Sequence, residues 1–185
     1  MPPRLQIAPS IAAADLSRLG WAVEVATKAG ADMIHLDLED GVFLPNLTFG
    51  PAMIRALRPH SSLPFDVHVE LDRPESHLEE IAQAGADRIT VHAEACPYLY
   101  RVLRTIRALG KIPGVAFNAA TSLEKVRQAR RLIADRPIDL QVDGGLQADH
   151  VREVVTAGAN VLVVGRAVWA AGDPSQAILA LRRSA

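Results

Sequence analysis

The sequence predicts an α/β fold in which strand–helix units repeat around a parallel sheet. Three nearly identical phrases, AGAD at 29–32, AGAD at 84–87 and AGAN at 157–160, each place a glycine between a stretch with helical spacing and an apolar stretch. Glycine commonly ends a helix, so each phrase is typical of a helix-to-strand junction. The chain has 185 residues, 49% of them hydrophobic, so we expect a single domain over residues 1–185.

Seven units follow from this reading. The strands are apolar runs bounded by turn residues, predicted at 5–8, 33–38, 65–69, 88–92, 113–117, 138–142 and 161–164. The helices fill the intervening stretches, predicted at about 16–29, 51–58, 75–84, 97–109, 122–135, 148–157 and 174–183. Asp15 or Ser17 is predicted to cap the first helix and Ser122 the fifth. Residues 40–50 form the longest loop, a natural place for a site.

The number of strands leaves the closure of the sheet open. Seven is one fewer than the eight strands of a TIM-barrel-type (βα)8 fold. The sequence is therefore compatible with a barrel one unit short, with an open sheet, or with a chain from which a segment is missing.

Composition excludes several classes of function. The net charge is −1, and the arginines at 127, 130 and 131 lie beside acidic residues, which favours a solvated helix face over a nucleic-acid surface. Cys96 is the only cysteine, so no intrachain disulfide is possible and a reducing compartment is expected. No apolar run approaches the ~20 residues of a membrane span. We expect a cytoplasmic protein with no nucleic-acid or membrane partner, and a homo-oligomer.

Polar residues recur inside the predicted strands with a spacing that places them on one face. Alternate side chains of a strand share a face, and the apolar residues between these polar ones would face the helices. The inward polar residues are His35, Asp37, Glu39, Asp66, His68, Glu70 and, at the end of the sixth strand, Asp143.

Four of these, His35, Asp37, His68 and Asp143, are predicted to converge at the strand ends where such barrels place their active sites. Two imidazoles and two carboxylates form a reasonable ligand set for a divalent transition metal. The competing interpretation is that each is a hydrogen-bonded structural residue. His92 fits an inward structural histidine as well as a group that supports the site.

Two glycine turns follow the last two strands. Gly144-Gly145 and Gly165-Arg166 would present backbone N–H groups to a phosphate, which commonly binds after these strands. Tight-turn geometry alone would also account for both.

Seven motifs occur in the order found in one family. They are IAPSI at 7–11, HLD at 35–37, PNLTFGP at 45–51, DVH at 66–68, FN at 117–118, VDGG at 142–145 and the Gly165 turn. Together they resemble ribulose-phosphate 3-epimerase. The resemblance implies a (βα)8 barrel that interconverts ribulose 5-phosphate and xylulose 5-phosphate in the pentose phosphate pathway, with the phosphosugar as its partner.

The resemblance also implies roles for individual residues. Zinc, or else iron, manganese or cobalt, would bind His35, Asp37, His68 and Asp143. Asp37 and Asp143 would carry the two protons, because epimerisation at C3 removes a proton from one face and returns it to the other. The residues implied to contact substrate or phosphate are Ser10, His68, Gly144, Gly145, Gly165 and Arg166.

The chain departs from the family pattern at three places. A strand and a glycine-rich phosphate loop, roughly thirty residues, are absent before the fifth predicted helix. Glu39 and Glu70 replace methionines and would repel an anionic substrate unless they are protonated or bind cations. Arg166 replaces a small residue and would either pair with phosphate or be an ordinary surface arginine. Two other interpretations therefore remain: a non-catalytic barrel remnant, and a metal-dependent enzyme acting on an unphosphorylated sugar.

Overall fold

The computed structural model describes residues 4–117 and 123–184. Within these ranges seven strands alternate with helices. The strands are β1 (Gln6–Pro9), β2 (Ile34–Glu39), β3 (Phe65–Glu70), β4 (Arg88–His92), β5 (Ile112–Ala116), β6 (Gln141–Val142) and β7 (Val161–Val164). The helices are α1 (Leu19–Lys28), α2 (Pro51–Leu57), α3 (Leu78–Ala84), α4 (Leu99–Ala108), α5 (Leu123–Ile133), α6 (Ala148–Thr156), α7 (Arg166–Trp169) and α8 (Pro174–Arg183). None of these helices is long and apolar enough to cross a bilayer.

All strand pairs are parallel and form two sheets. One sheet has the order β1-β7-β6 and the other the order β2-β3-β4-β5. A parallel bridge between Ser10 and His35 links the end of β1 to β2. The strands therefore run in the spatial order β6-β7-β1-β2-β3-β4-β5, the series expected of a barrel wall.

The two sheets are not joined between β5 and β6 by any ladder within the described residues. Side chains cross this side instead: Arg88, the first residue of β4, places Nη2 2.8 Å from Asp139 Oδ2, just before β6. Asp139 Oδ1 also accepts from Asn160 Nδ2 at 2.6 Å. The two ends of the strand series thus approach one another around a common axis.

The core lies mainly between the strands and the helices. Alternate strand residues such as Leu36, Val67 and Leu162 are fully buried together with helix residues such as Ile54 and Ile81. A second, smaller cluster fills the inside of the wall, formed by Ala8, Met33, Val161 and Val163. The fully buried Leu36 and Val67 confirm the predicted alternation in β2 and β3, whereas in β1 and β7 the side toward the axis is apolar as well.

The predicted elements agree with the structure in type, while several boundaries differ. The glycines of the three repeated phrases have positive φ, 81° at Gly30, 118° at Gly85 and 113° at Gly158, as helix-ending glycines require. The first, third and fourth helices begin two or three residues later than predicted, and the sixth strand covers only Gln141–Val142, which pair with β7. The sequence pattern missed α7, whose 4 residues are too few to show a helical period. Asp15 accepts from Ser17 N in the 3-10 turn before α1, whereas Ser122 lies outside the described residues.

Candidate active site

Four side chains meet at the carboxyl ends of the strands. β2 turns His35 and Asp37 toward the axis, β3 does the same for His68, and Asp143 follows directly after β6. One ligand atom from each of the four lies within 4.8 Å of those of the other three. The structure therefore brings together all four residues that strand parity had pointed to one axis.

The spacing of the donor atoms suits one metal ion. His35 Nε2 lies 2.9 Å from Asp37 Oδ1 and 3.8 Å from Asp143 Oδ2. His68 Nδ1 lies 3.5 Å from Asp37 Oδ1 and 3.9 Å from Asp143 Oδ2. Ligands of a tetrahedral Zn²⁺ with bonds near 2.0–2.1 Å are about 3.3 Å apart. Small side-chain movements would therefore seat an ion among these atoms.

Asp66 contacts the ring nitrogen of His35 that points away from Asp37. His35 is fully buried, and its Nδ1 lies 2.8 Å from Oδ2 of Asp66, which is 1% exposed. Because Nε2 of the same ring faces Asp37, both ring nitrogens face carboxylates. The carboxylate–histidine arrangement is the one that fixes the ring of a metal-ligating histidine.

The pKa shifts follow from this arrangement. Burial alone would lower the pKa of His35, but the charges and hydrogen bonds of Asp37 and Asp66 outweigh it and raise the pKa well above 6.5. Burial would raise the pKa of Asp37, yet the charge and hydrogen bond of His35 lower it far below its usual range. Burial, together with the charge of Asp37, raises the pKa of Asp143. The two carboxyls thus differ in proton affinity.

Ser10 fixes the second oxygen of Asp37. Its hydroxyl donates to Asp37 Oδ2 at 2.6 Å, and its carbonyl accepts from Trp169 Nε1 at 2.7 Å. The predicted substrate contact is therefore, in this structure, a partner of the Asp37 carboxylate.

The two glycine turns lie where they were predicted. Gly144 and Gly145 directly follow Asp143 with φ of 105° and 64°, angles that favour glycine. Gly165 precedes the four-residue helix α7, and a Cβ there would lie 3.0 Å from the Cβ of Ala13. Arg166 is exposed. Tight backbone geometry therefore accounts for these glycines whether or not a phosphate binds.

Two further carboxylates lie at the carboxyl ends of β2 and β3, a region that we call the mouth of the barrel. Glu39 and Glu70 are opposite one another in the β2–β3 register. Burial, and then the charges of Glu70 and Asp37, raise the pKa of Glu39. Glu70 Oε1 is 3.6 Å from His92 Nε2, and His92 Nε2 is 3.0 Å from His68 Nε2.

Sequence reasoning placed Glu70 in the site without a partner, identified Asp66 only as an inward residue and left His92 undecided. All three share the inward parity of His68 on β3 and β4, and that parity was the available signal. It shows which face a side chain lies on, whereas the partner of each side chain depends on rotamers and on the neighbouring strand.

Comparisons with known proteins agree with this geometry. The model of the family described as "Ribulose-phosphate 3 epimerase family" matches residues 6–126 and 120–169. The ribulose-phosphate 3-epimerase of Synechocystis sp. is 37% identical over 220 residues, covering 100% of this chain and 96% of that protein. The enzyme of the same name from Bacillus subtilis is 34% identical over 215 residues, covering 97% of this chain and 99% of that protein.

Solved structures show the same fold at low sequence identity. Orotidine 5'-phosphate decarboxylase from Pyrococcus horikoshii aligns with a TM-score of 0.69 at 18% identity, covering 97% of this chain and 98% of that one. Thiamine phosphate pyrophosphorylase from Pyrococcus furiosus aligns with a TM-score of 0.69 at 20% identity, covering 97% and 95%. These neighbours establish a TIM-barrel-type fold for the chain.

Proposed function

The chain belongs to the ribulose-phosphate 3-epimerase family, and from this we propose that it interconverts D-ribulose 5-phosphate and D-xylulose 5-phosphate with the help of a divalent metal ion. The observation that carries the proposal is the meeting of two imidazoles and two carboxylates within 4.8 Å at the carboxyl ends of the strands. The relatives above, which match over nearly their full length, support the same reaction.

The residues that would hold the ion are His35, Asp37, His68 and Asp143, and zinc is the ion that their nitrogen and oxygen donors suit best. When bound, the ion supplies Lewis-acid stabilisation of the negative charge that develops on the C2 oxygen of the substrate. Asp66 would keep His35 oriented for this role.

Asp37 and Asp143 would act as the two proton carriers. Removal of the C3 proton leaves a planar enediolate, and a product of inverted configuration requires a proton delivered to the opposite face. Ser10 holds one oxygen of Asp37 and thereby orients its other oxygen.

The backbone N–H groups of Gly144, Gly145 and Gly165, with the side chain of Arg166, would hold the phosphate, and His68 would also contact the substrate. We place this machinery in a single barrel domain over residues 1–185 of a cytoplasmic homo-oligomer.

We further propose that the chain lacks one strand–helix unit between β5 and α5. The alignment with the Synechocystis protein runs over 220 residues although the chain has 185, and the family model matches in two segments that meet at residues 120–126. The open side of the wall lies at the same place, since β5 and β6 share no ladder within the described ranges. Activity would accordingly be reduced, because the missing unit includes a phosphate-gripping loop in the family that the motifs resemble.

One observation favours a second candidate, a metal-dependent epimerase or isomerase of an unphosphorylated sugar. Glu39 and Glu70 place two carboxyl groups opposite one another at the mouth, where an anionic phosphosugar would be repelled.

Turnover by the zinc-loaded chain tests the proposal. Ribulose 5-phosphate should be epimerised, and Asp37→Asn and Asp143→Asn should each abolish epimerisation, because each face of the enediolate needs its own proton carrier. Exchange of the C3 proton with deuterated solvent would survive in one of the two variants. Full activity in either variant would contradict the two-base mechanism. Turnover of ribulose but not of ribulose 5-phosphate would favour the second candidate, and bound metal without either turnover a non-catalytic remnant.

A further inference from the structure

We propose that the barrel mouth holds a second divalent metal site, formed by His68, Glu70 and His92, which shares His68 with the first. One ligand atom from each of these residues lies within 4.8 Å of the other two. The set of two histidines and one glutamate is one that proteins use for zinc, with a position left open for water or substrate.

The distances suit an ion of this size. His92 Nε2 lies 3.0 Å from His68 Nε2 and 3.6 Å from Glu70 Oε1. These values bracket the separation of about 3.3 Å between ligands of a tetrahedral zinc ion. His68 Nε2 faces His92, whereas Nδ1 of the same ring lies 3.5 Å from Asp37 Oδ1 and 3.9 Å from both Asp143 Oδ2 and Glu70 Oε1. For Nε2 to serve the second site, the Glu70 side chain would have to turn toward it.

The two rings present facing nitrogens in a buried place. His68 and His92 are 7% and 4% exposed, and their Nε2 atoms lie 3.0 Å apart. On the other side of each ring, Nδ1 has a carboxylate nearby: Asp37 Oδ1 is 3.5 Å from His68 Nδ1, and Glu94 Oε2 is 3.5 Å from His92 Nδ1. Each ring could therefore offer Nε2 to an ion while a carboxylate lies beside Nδ1.

In each site a carboxylate lies next to Nδ1 of one of the histidines. Glu94 Oε2 lies 3.5 Å from His92 Nδ1, while Asp66 Oδ2 lies 2.8 Å from His35 Nδ1. With His92 Nε2 on an ion, its proton moves to Nδ1 and faces Glu94, the arrangement that supports metal-ligating histidines. If both sites were filled, His68 would offer one ring nitrogen to each and would release its single ring N–H proton to the solvent.

The second ion would also offset the negative charge at the mouth of the barrel. Glu39 and Glu70 would repel an anionic substrate, and a divalent cation on Glu70 offsets both charges. The proposal depends on the first site only through the shared ring of His68, so the two sites can be tested separately.

Zinc stoichiometry after equilibrium dialysis, read by elemental analysis, tests the second site. The chain should bind two Zn²⁺, and Glu70→Gln should bind one. Glu39→Gln removes the same charge from the opposite register position and should still bind two, which separates a lost ligand from a lost charge. His92→Gln provides an independent removal of the second site and should also bind one. Circular dichroism confirms that each variant is folded.

The double variant Asp37→Asn, Asp143→Asn separates the two sites. It removes both carboxylates of the first site and should keep one Zn²⁺, which the further change Glu70→Gln should eliminate. Titration with Co²⁺ gives a second readout: its visible absorption should grow through two equivalents in the unaltered chain and stop after one in Glu70→Gln. The second site is overturned if the unaltered chain and Glu70→Gln bind the same number of ions. The first site is overturned instead if the double variant binds as many ions as the unaltered chain.

Discussion

Asp66 is not one of the four residues proposed to hold the ion, but it contacts one of them, His35. It is 1% exposed, and its carboxylate faces the ring nitrogen of His35 that points away from Asp37. A buried carboxylate in this position sets which nitrogen carries the proton and how strongly the other nitrogen donates to an ion.

Substituting Asp66→Asn should weaken zinc binding by about 10–100-fold. The asparagine carbonyl still accepts from His35 Nδ1, but the negative charge behind the ring is lost. Competition with a chromophoric chelator measures the dissociation constant. Asp149→Asn, at a side chain that is 80% exposed, is the control and should bind zinc normally. An unchanged affinity in Asp66→Asn would show that Asp66 serves packing alone.

Zinc binding at neutral pH should release a proton from His35. Because both ring nitrogens face carboxylates, the pKa of His35 lies well above 6.5 and the ring is protonated in the ion-free protein. The ion must displace the proton on Nε2, so affinity should rise with pH until the pH exceeds that raised pKa. Calorimetry in buffers with different ionisation enthalpies counts the protons, and a binding enthalpy independent of buffer would contradict the prediction.

The raised pKa of His35 also means that the stability of the ion-free protein falls as the pH rises, whereas its affinity for the ion increases. A raised pKa in the folded state means that His35 contributes stability below its unfolded pKa, about 6.5, and loses it as the pH rises through the folded value. The tighter binding at higher pH and the weaker ion-free state are two expressions of the same His35 proton.

At the scale of elements, β4 and the approach to β6 are held together by side chains, since no ladder joins β5 to β6 within the described residues. Arg88 reaches Asp139 at 2.8 Å, and Asp139 accepts from the buried Asn160 at 2.6 Å. Asn160 Oδ1 in turn accepts from the backbone of Leu140 at 2.7 Å and from Arg130 at 2.9 Å. This network substitutes for part of the missing strand pairing.

Asp139→Asn should lower the free energy of unfolding by about 1–3 kcal/mol at neutral pH, because the Arg88 charge loses its partner in a half-buried site. Burial would raise the pKa of Asp139, but the hydrogen bond of Asn160 and the hydrogen bond and charge of Arg88 lower it. The contribution is therefore present above the usual aspartate pKa of about 3.9 and is lost as the pH falls through the lower folded value.

Urea denaturation across this pH range measures the effect. The difference between the unaltered chain and Asp139→Asn should shrink as the medium becomes acidic. A difference independent of pH would mean that the charge on Asp139 contributes nothing. A double-mutant cycle with Arg88→Met isolates the energy of the pair.

At the scale of the whole molecule, the site is complete on one side and open on the other. The residues proposed to hold the ion come from β2, β3 and the end of β6, and β1 adds its support through the bridge from Ser10 to His35. The open side between β5 and β6 adjoins the turn at Gly144 and Gly145. Three of the four residues proposed to hold the ion, His35, Asp37 and His68, therefore lie away from this side, whereas the turn proposed to hold the phosphate lies beside it.

The KM for ribulose 5-phosphate should exceed that of the Synechocystis relative by tenfold or more when the two are assayed side by side. Each lost hydrogen bond to a phosphate dianion is worth about 1.5–3 kcal/mol, and the unit that we propose to be absent would supply several. Zinc affinity, by contrast, should be similar in the two proteins. Equal KM values would show that the phosphate is gripped elsewhere. Arg166→Ala would then identify the substitute by raising KM, whereas Arg152→Ala on the exposed face of α6 should leave it unchanged.

The sequence by itself determined the alternation of strands and helices and the inward direction of His35, Asp37 and His68. Both follow from local periodicity: apolar spacing distinguishes helix from strand, and parity assigns each strand residue to a face. The position of Asp143 at a strand end, beside two glycines, was equally readable. These features can be predicted from the residues of a single strand or helix.

Only the tertiary structure decided which inward residues touch. Asp66 meets His35 from the adjacent strand, Ser10 meets Asp37 across the bridge from β1, and His92 meets His68 from β4. The open side and the shortened β6 were also beyond the sequence pattern, which left a short barrel, an open sheet and a missing segment as equal alternatives. The physical reason is that closure depends on strand number, tilt and shear acting together, and that contacts between inward side chains depend on register and rotamers across strands. Neither quantity is encoded in the period of a single element.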